Sequence, residues 1–134
     1  MLSPIKILIA DDEEILLEIM VNKISAQGYQ VITAKDGQAA WDQIISQSPD
    51  VIVLDVTMPK MDGWEVLSRL RTENPSKKWQ PVIIVSAETD ISKINKGFAL
   101  EADHYLIKPC RIEDILKSIK LMLALLPQRQ NHNP

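Results

Sequence analysis

Val51-Ile52-Val53-Leu54-Asp55-Val56-Thr57-Met58-Pro59-Lys60-Met61-Asp62-Gly63 is the stretch around which the rest of the chain is read. It begins as an unbroken apolar run, Val51 to Leu54, the pattern of a strand buried on both faces. The run ends on a carboxylate, Asp55, and Met58-Pro59 then halts regular structure. Asp62-Gly63 followed by Glu65 reads as the N-cap and capping box of a helix. One acid is thus delivered to the C-terminal tip of a central strand, where open α/β sheets place their ligands.

Outward from this stretch, strands and helices alternate. Ile5 to Ala10 is a β-branched run that stops at Asp11-Asp12-Glu13-Glu14, acids suited to the first turn of a helix. Ile15, Leu16, Ile19, Met20 and Ile24 then recur at helical spacing, and Gly28 suits the helix end. Tyr29 to Thr33 reads as a second strand, and Asp36-Gly37 opens a second helix with Ala40, Trp41, Ile44 and Ile45 apolar. Beyond the opening stretch, a third helix runs from about Gly63 to Glu73, burying Val66, Leu67 and Leu70. Val82 to Val85 is a fourth strand, ending on Ser86-Ala87-Glu88, and a helix from about Asp90 to Leu100 sets Ile91, Ile94 and Phe98 on one side. His104 to Ile107 is a short fifth strand before Lys108-Pro109. The last helix carries Ile112, Ile115, Leu116, Ile119, Met122, Leu123 and Leu126, and Pro127 is expected to stop it. This gives one domain over 1–127 and a polar, frayed tail over 128–134. Five βα units predict a parallel sheet between two helical layers, an α/β three-layer sandwich. Alternation alone leaves the strand order open.

At 134 residues the chain can bury a core without metal or disulfide staples. A net charge of −3 gives no footprint for nucleic acid. The single cysteine, Cys110, makes no internal disulfide, which fits a reducing, cytoplasmic setting. No apolar run approaches the ~20 residues of a membrane span, and the first residues lack a signal-peptide pattern.

The polar groups that follow the strands share one rim of such a sheet: Asp11 and Asp12, Asp55, Ser86 and Lys108. Three carboxylates make a hard-oxygen cluster of the kind Mg2+ takes with waters and a phosphate oxygen. A lysine and a hydroxyl would balance an incoming phosphoryl group, whose transfer needs positioning and charge neutralisation above all. A carboxylate can itself be the nucleophile, giving an aspartyl-phosphate.

Asp11-Asp12, Asp55 with Met58-Pro59 and Asp62-Gly63, Ser86-Ala87, and Tyr105 with Lys108-Pro109, in this order and spacing, resemble the receiver domain of two-component response regulators. The resemblance runs from about Lys6 to Leu126. It implies the (βα)5 flavodoxin-like fold with strand order 2-1-3-4-5. It further implies that Asp55 accepts a phosphoryl group from the phosphohistidine of a sensor histidine kinase or phosphotransfer protein. Asp12, Asp55 and the Thr57 carbonyl would hold Mg2+ directly, and Asp11 through water. Lys108 would contact the phosphoryl oxygen and the Asp55 carboxylate, and Ser86 would bond the phosphoryl group. Tyr105 would turn inward as Ser86 moves, switching the surface of the fourth helix, fifth strand and fifth helix. The Lys108-Pro109 bond is expected to be cis, an isomer cheap only before proline. Thr57 and Glu88, two residues after Asp55 and Ser86, would tune the lifetime of the phosphoryl group. Such a domain catalyses its own phosphorylation and dephosphorylation and is not an enzyme in the ordinary sense. No output module follows Pro127, so a stand-alone regulator and a receiver from a longer protein, acting on a downstream protein or through an attached output domain, are both open.

Blander roles suit other residues. Asp62 is a helix cap, His104 a strand-end surface residue, and Cys110 a small buried filler without redox role. Glu101-Ala102-Asp103 stands where the family has Gly-Ala-Asp, which predicts a reshaped turn. Leu121 and Leu125 lie opposite the stripe of the last helix, which points to a homodimer or partner surface through the fourth and fifth helices. Two rivals remain. A Mg2+-dependent aspartyl-nucleophile phosphatase would carry a second acid where Thr57 stands. A phosphorylation-independent interaction module would have no need of the full set of rim residues.

Overall fold

The computed structural model describes residues 4–131, with side chains described as far as residue 126. Its elements run β1 (Lys6–Ala10), α1 (Glu14–Ser25), β2 (Gln30–Ala34), α2 (Gly37–Gln47), β3 (Val51–Leu54), α3 (Gly63–Glu73), β4 (Val82–Ser86), α4 (Ile91–Ala99), β5 (His104–Ile107) and α5 (Ile112–Asn131). The strands form one parallel sheet in the order β2-β1-β3-β4-β5. β1 and β3 lie inside it, in register at Ala10 with Leu54.

Period-2 alternation splits the strand residues between two cores. Leu8, Ile52, Leu54 and Ile84 face Ala40, Trp41 and Ile44 of α2 and Val66, Leu67 and Leu70 of α3. Ile7, Ile9, Val53, Ile83 and Val85 face Leu17, Met20 and Ile24 of α1 and Ile115, Ile119 and Met122 of α5. β3 is covered on both sides and so is apolar throughout. Each fully buried side chain of this size contributes about 1.5–3 kcal/mol.

The helices start where the caps predict. Asp36 Oδ1 accepts from the Ala39 N–H at 2.7 Å, Asp62 Oδ1 from Glu65 at 2.9 Å, and Asp90 Oδ1 from Ser92 at 2.9 Å. Which faces are buried differs from the periodicity in several helices. In α1, Leu17 points inward while Ile15 is 78% exposed and Ile19 is also exposed. Ile45 of α2 is exposed as well. α4 buries only Gly97, leaving Ile91 and Phe98 in solvent and Ile94 half-buried. An isoleucine-rich helix has several candidate stripes, and only the sheet it lands on selects one.

Two further expectations fail. α5 continues through Pro127 to Asn131, so the first part of the polar tail is helical, and residues 132–134 lie outside those described. A proline inside a helix removes one i→i−4 bond, and here the ladder resumes on its far side. Leu125 is half-buried against the α1–α5 core, while Leu121 is exposed as expected. The turn at Glu101 also keeps its shape without glycine: Glu101 takes the left-handed conformation, φ 68°. The close of α4 is a Schellman turn, the Ala102 N–H donating to the Gly97 carbonyl at 3.1 Å and the Glu101 N–H to Phe98 at 2.9 Å. Arg71 braces it, its Nε and one terminal nitrogen donating to the Glu101 carbonyl at 3.1 and 3.0 Å. The same nitrogen donates to Asp103 Oδ2 at 2.8 Å, and that oxygen accepts from the Val82 N–H at 2.8 Å, tying the turn to β4.

Candidate functional site

Backbone bonds carry the sheet one residue past the strands, and this fixes the chemistry-bearing residues. The Asp11 N–H donates to the Ala34 carbonyl at 3.0 Å, the Asp55 N–H to Ala10 at 2.9 Å, and the Lys108 N–H to Ser86 at 2.8 Å. Asp11, Asp55, Ser86 and Lys108 therefore meet on one rim, as the alternation of elements predicts. The loop after β3 is held close by α3: the Gly63 N–H donates to the Val56 carbonyl at 2.8 Å. A Cβ on Gly63 would stand 2.3 Å from the Asp55 carbonyl oxygen, so only glycine lets α3 start there.

Asp11 is 1% exposed and Asp55 6%, whereas Asp12 faces solvent. One oxygen of each buried carboxylate is occupied locally. Asp11 Oδ1 accepts from the Glu13 N–H at 2.9 Å and Asp55 Oδ1 from the Thr57 N–H at 3.2 Å. The other oxygens turn to Lys108, whose Nζ donates to Asp11 Oδ2 at 2.9 Å and Asp55 Oδ2 at 3.3 Å. Burial pushes the Asp55 carboxyl above its ordinary pKa; Lys108 opposes the rise and Asp11 adds to it. Burial alone would lower the Lys108 ammonium, but Asp11, Asp55 and Glu13 together raise it. The lysine stays charged.

Oxygens of Asp11, Asp12 and Asp55 all lie within 4.8 Å of one another. Three carboxylates against one ammonium leave a net negative site, and the donors are hard oxygens with no nitrogen or sulfur among them. That set fits Mg2+. Thr57, exposed at the mouth, directly follows Val56 on the same loop.

Ser86 is buried, and its Oγ accepts from the Glu88 N–H at 3.1 Å. Tyr105 is half-buried with its hydroxyl donating to the Glu88 carbonyl at 3.1 Å, and burial raises its phenol above the ordinary pKa. Its ring stacks on Trp64 at 6.3 Å and lies 6.5 Å from Phe98. The Glu88 carboxylate accepts from the Asp90 N–H at 2.9 Å and from Lys93 at 3.3 Å, which keep it below its ordinary pKa. The Lys108-Pro109 peptide is cis, as expected.

Asp62 caps α3, as the sequence indicates. His104 is only partly at the surface: it is half-buried, and its Nδ1 is hydrogen-bonded to the Oγ of buried Ser118 on α5. A serine on an amphipathic helix reads as part of the wet face, so nothing in the sequence marks that pair. Cys110 is half-buried against the α1–α5 core, and burial raises its thiol. The site also contains a residue that sequence reasoning passes over. Glu13 Oε1 accepts from Lys108 Nζ at 3.1 Å. Read along the chain, Glu13 is one more acid at a helix start.

The sequence model of the family described as the response regulator receiver domain matches residues 7–120. Response regulator MprA of Mycolicibacterium vanbaalenii is 37% identical over 120 residues, which cover 90% of this chain and 51% of the relative. The probable transcriptional regulatory protein TcrX of Mycobacterium tuberculosis is 35% identical over 121 residues, covering 90% of this chain and 50% of TcrX. The chain thus spans about half the length of these relatives. Among solved structures, the receiver domain of the Francisella response regulator 1452 superposes with a TM-score of 0.81 at 33% identity, covering 91% of this chain and 98% of the other. The chemotaxis response regulator CheY4 of Vibrio cholerae gives 0.82 at 31% identity, covering 90% of this chain and 99% of the other. With this rim of residues on this sheet order, the chain belongs to the receiver domains of two-component response regulators.

Proposed function

We propose that this receiver domain takes a phosphoryl group onto Asp55 from the phosphohistidine of a sensor histidine kinase or phosphotransfer protein. The observation that carries this is the setting of Asp55: a buried carboxylate at the tip of β3, 3.3 Å from the Lys108 ammonium and grouped with Asp11 and Asp12. In the transfer, the Asp55 carboxylate oxygen forms a bond to phosphorus as the phosphorus–nitrogen bond breaks, and the leaving imidazole takes a proton from water. Asp12, Asp55 and the Thr57 carbonyl would hold Mg2+, with Asp11 acting through water. When bound, the ion would supply positive charge to the phosphoryl oxygens. Lys108 neutralises a further oxygen and keeps its charge through the reaction.

Ser86 and Tyr105 serve as the readout. The phosphoryl group competes for the Ser86 hydroxyl, and the Tyr105 hydroxyl leaves the Glu88 carbonyl as the ring turns inward. That biases the α4–β5–α5 surface between two states. Exposed Ile91, Phe98, Ile107 and Leu121 on those elements suit a homodimer, a downstream protein or an attached output domain. Thr57 and Glu88 flank the path of the attacking water and tune the lifetime of the phosphoryl group. No described helix is long and apolar enough to cross a membrane.

The test is incubation with acetyl phosphate and Mg2+ followed by mass measurement. A single phosphoryl adduct, absent in Asp55→Asn, is expected. Turnover of varied phosphoesters would favour a phosphatase, and an unmodified wild-type chain would leave only a phosphorylation-independent interaction module.

A further inference from the structure

A lysine ammonium has three N–H donors, and in Lys108 all three are directed at carboxylates: Asp11 at 2.9 Å, Glu13 at 3.1 Å and Asp55 at 3.3 Å. In the transfer proposed above, Lys108 contacts both the phosphoryl oxygen and the attacking Asp55 carboxylate, so the donor for the phosphoryl oxygen has to be given up by Asp11 or Glu13. Asp11 is poorly placed to do so, because it is buried and would be left with a charge that water cannot reach. Glu13 is different: its side chain is 62% exposed, and water replaces Lys108 at little cost. Glu13 is also the N-cap residue of α1, where its charge suits the helix dipole, but its carboxylate makes no capping bond and turns to Lys108 instead.

We propose that Glu13 is a positioning residue that holds the Lys108 ammonium in the unphosphorylated chain and must release it during transfer to Asp55, thereby slowing phosphorylation. This rests on Asp55 being the phosphoacceptor. Glu14 supplies an internal control, since it is a neighbouring exposed acid of the same charge whose carboxylate pairs with Lys35 instead.

The full chain is treated with acetyl phosphate and Mg2+, and the rate of adduct formation is followed. Glu13→Gln should be faster than wild type by about two- to fivefold, the worth of one exposed ion pair. The excess should shrink near 1 M salt, where screening reaches within ~3 Å. Glu14→Gln should match wild type. Glu13→Ala, which removes the acceptor altogether, should be at least as fast as Glu13→Gln. A second readout needs no activity: the 15N resonance of the Lys108 ammonium should move in Glu13→Gln and stay in place in Glu14→Gln. Equal effects of Glu13→Gln and Glu14→Gln, an unchanged or slower Glu13→Gln, or an unmoved Lys108 resonance would each overturn the inference while the phosphoacceptor reading stands. A wild-type chain that takes up no phosphoryl group overturns both.

Discussion

Replacing Glu101 by glycine should stabilise this domain. Glu101 sits at φ 68°, in the left-handed region, at the turn between α4 and β5. There its Cβ crowds the following carbonyl, which costs an L-residue about 1–2 kcal/mol. The conformation is held by the helix-end bonds of Ala102 to Gly97 and of Glu101 to Phe98, which glycine keeps. Two nitrogens of Arg71 also hold the Glu101 carbonyl, at 3.1 and 3.0 Å. Both bonds are to backbone and survive the substitution. The Glu101 side chain makes no hydrogen bond or ion pair with other described residues, so nothing is lost with it. Against the gain stands the extra freedom of glycine in the unfolded chain, about 0.4–1 kcal/mol. The net expectation for Glu101→Gly is a gain of about 0.5–1 kcal/mol, or about 2–4 °C in Tm for a chain of this length. Urea and thermal unfolding followed by circular dichroism would measure it. Glu101→Ala is the discriminating control, because it removes the same charge and keeps the Cβ. Were alanine to stabilise as much as glycine, or glycine not at all, the backbone argument would be wrong.

Asp55→Asn should be more stable than wild type at neutral pH, because burial, aided by Asp11, raises the Asp55 pKa in the folded state. A group raised on folding contributes its stability below its unfolded value and loses it as pH rises through the folded one, so the advantage of the variant should fade toward pH ~4; a difference constant with pH would contradict this. Millimolar Mg2+ should raise Tm in wild type, by about 2.7 kcal/mol of stability at a hundredfold excess over its dissociation constant, and much less in Asp12→Asn. Equal shifts in the two proteins would remove Asp12 from the ion's site. Gly63→Ala should destabilise by about 1–3 kcal/mol and slow phosphorylation, since its Cβ would press on the Asp55 carbonyl from 2.3 Å; unchanged unfolding curves would show that the loop yields freely.

The order of elements and the identity of the rim residues were legible in the chain because they follow from local rules. Val51–Leu54 is apolar at every position, and a strand of that kind is buried on both faces whatever surrounds it. Asp36, Asp62 and Asp90 cap helices through bonds to residues two or three positions away, which the sequence specifies directly. Where spacing permitted several answers, packing chose. α1 buries Leu17 and exposes Ile15 because the sheet accepts only one of its apolar stripes. The turn at Glu101 kept its left-handed form because backbone bonds from Ala102 to Gly97 and from Glu101 to Phe98 close the helix end, and Arg71, distant in sequence, braces the Glu101 carbonyl. Ser118 and His104 paired across α5 and β5, where neither residue alone signals burial.

The same division runs through the site. From the sequence alone came a strand that carries Asp55 to a sheet edge, and acids, a hydroxyl and a lysine at the ends of its neighbours. Only the tertiary structure decided that one ammonium is shared among Asp11, Glu13 and Asp55. Strand identity follows from side chains near in sequence, but the partner of a charge depends on a fold that brings residue 108 against residues 11, 13 and 55.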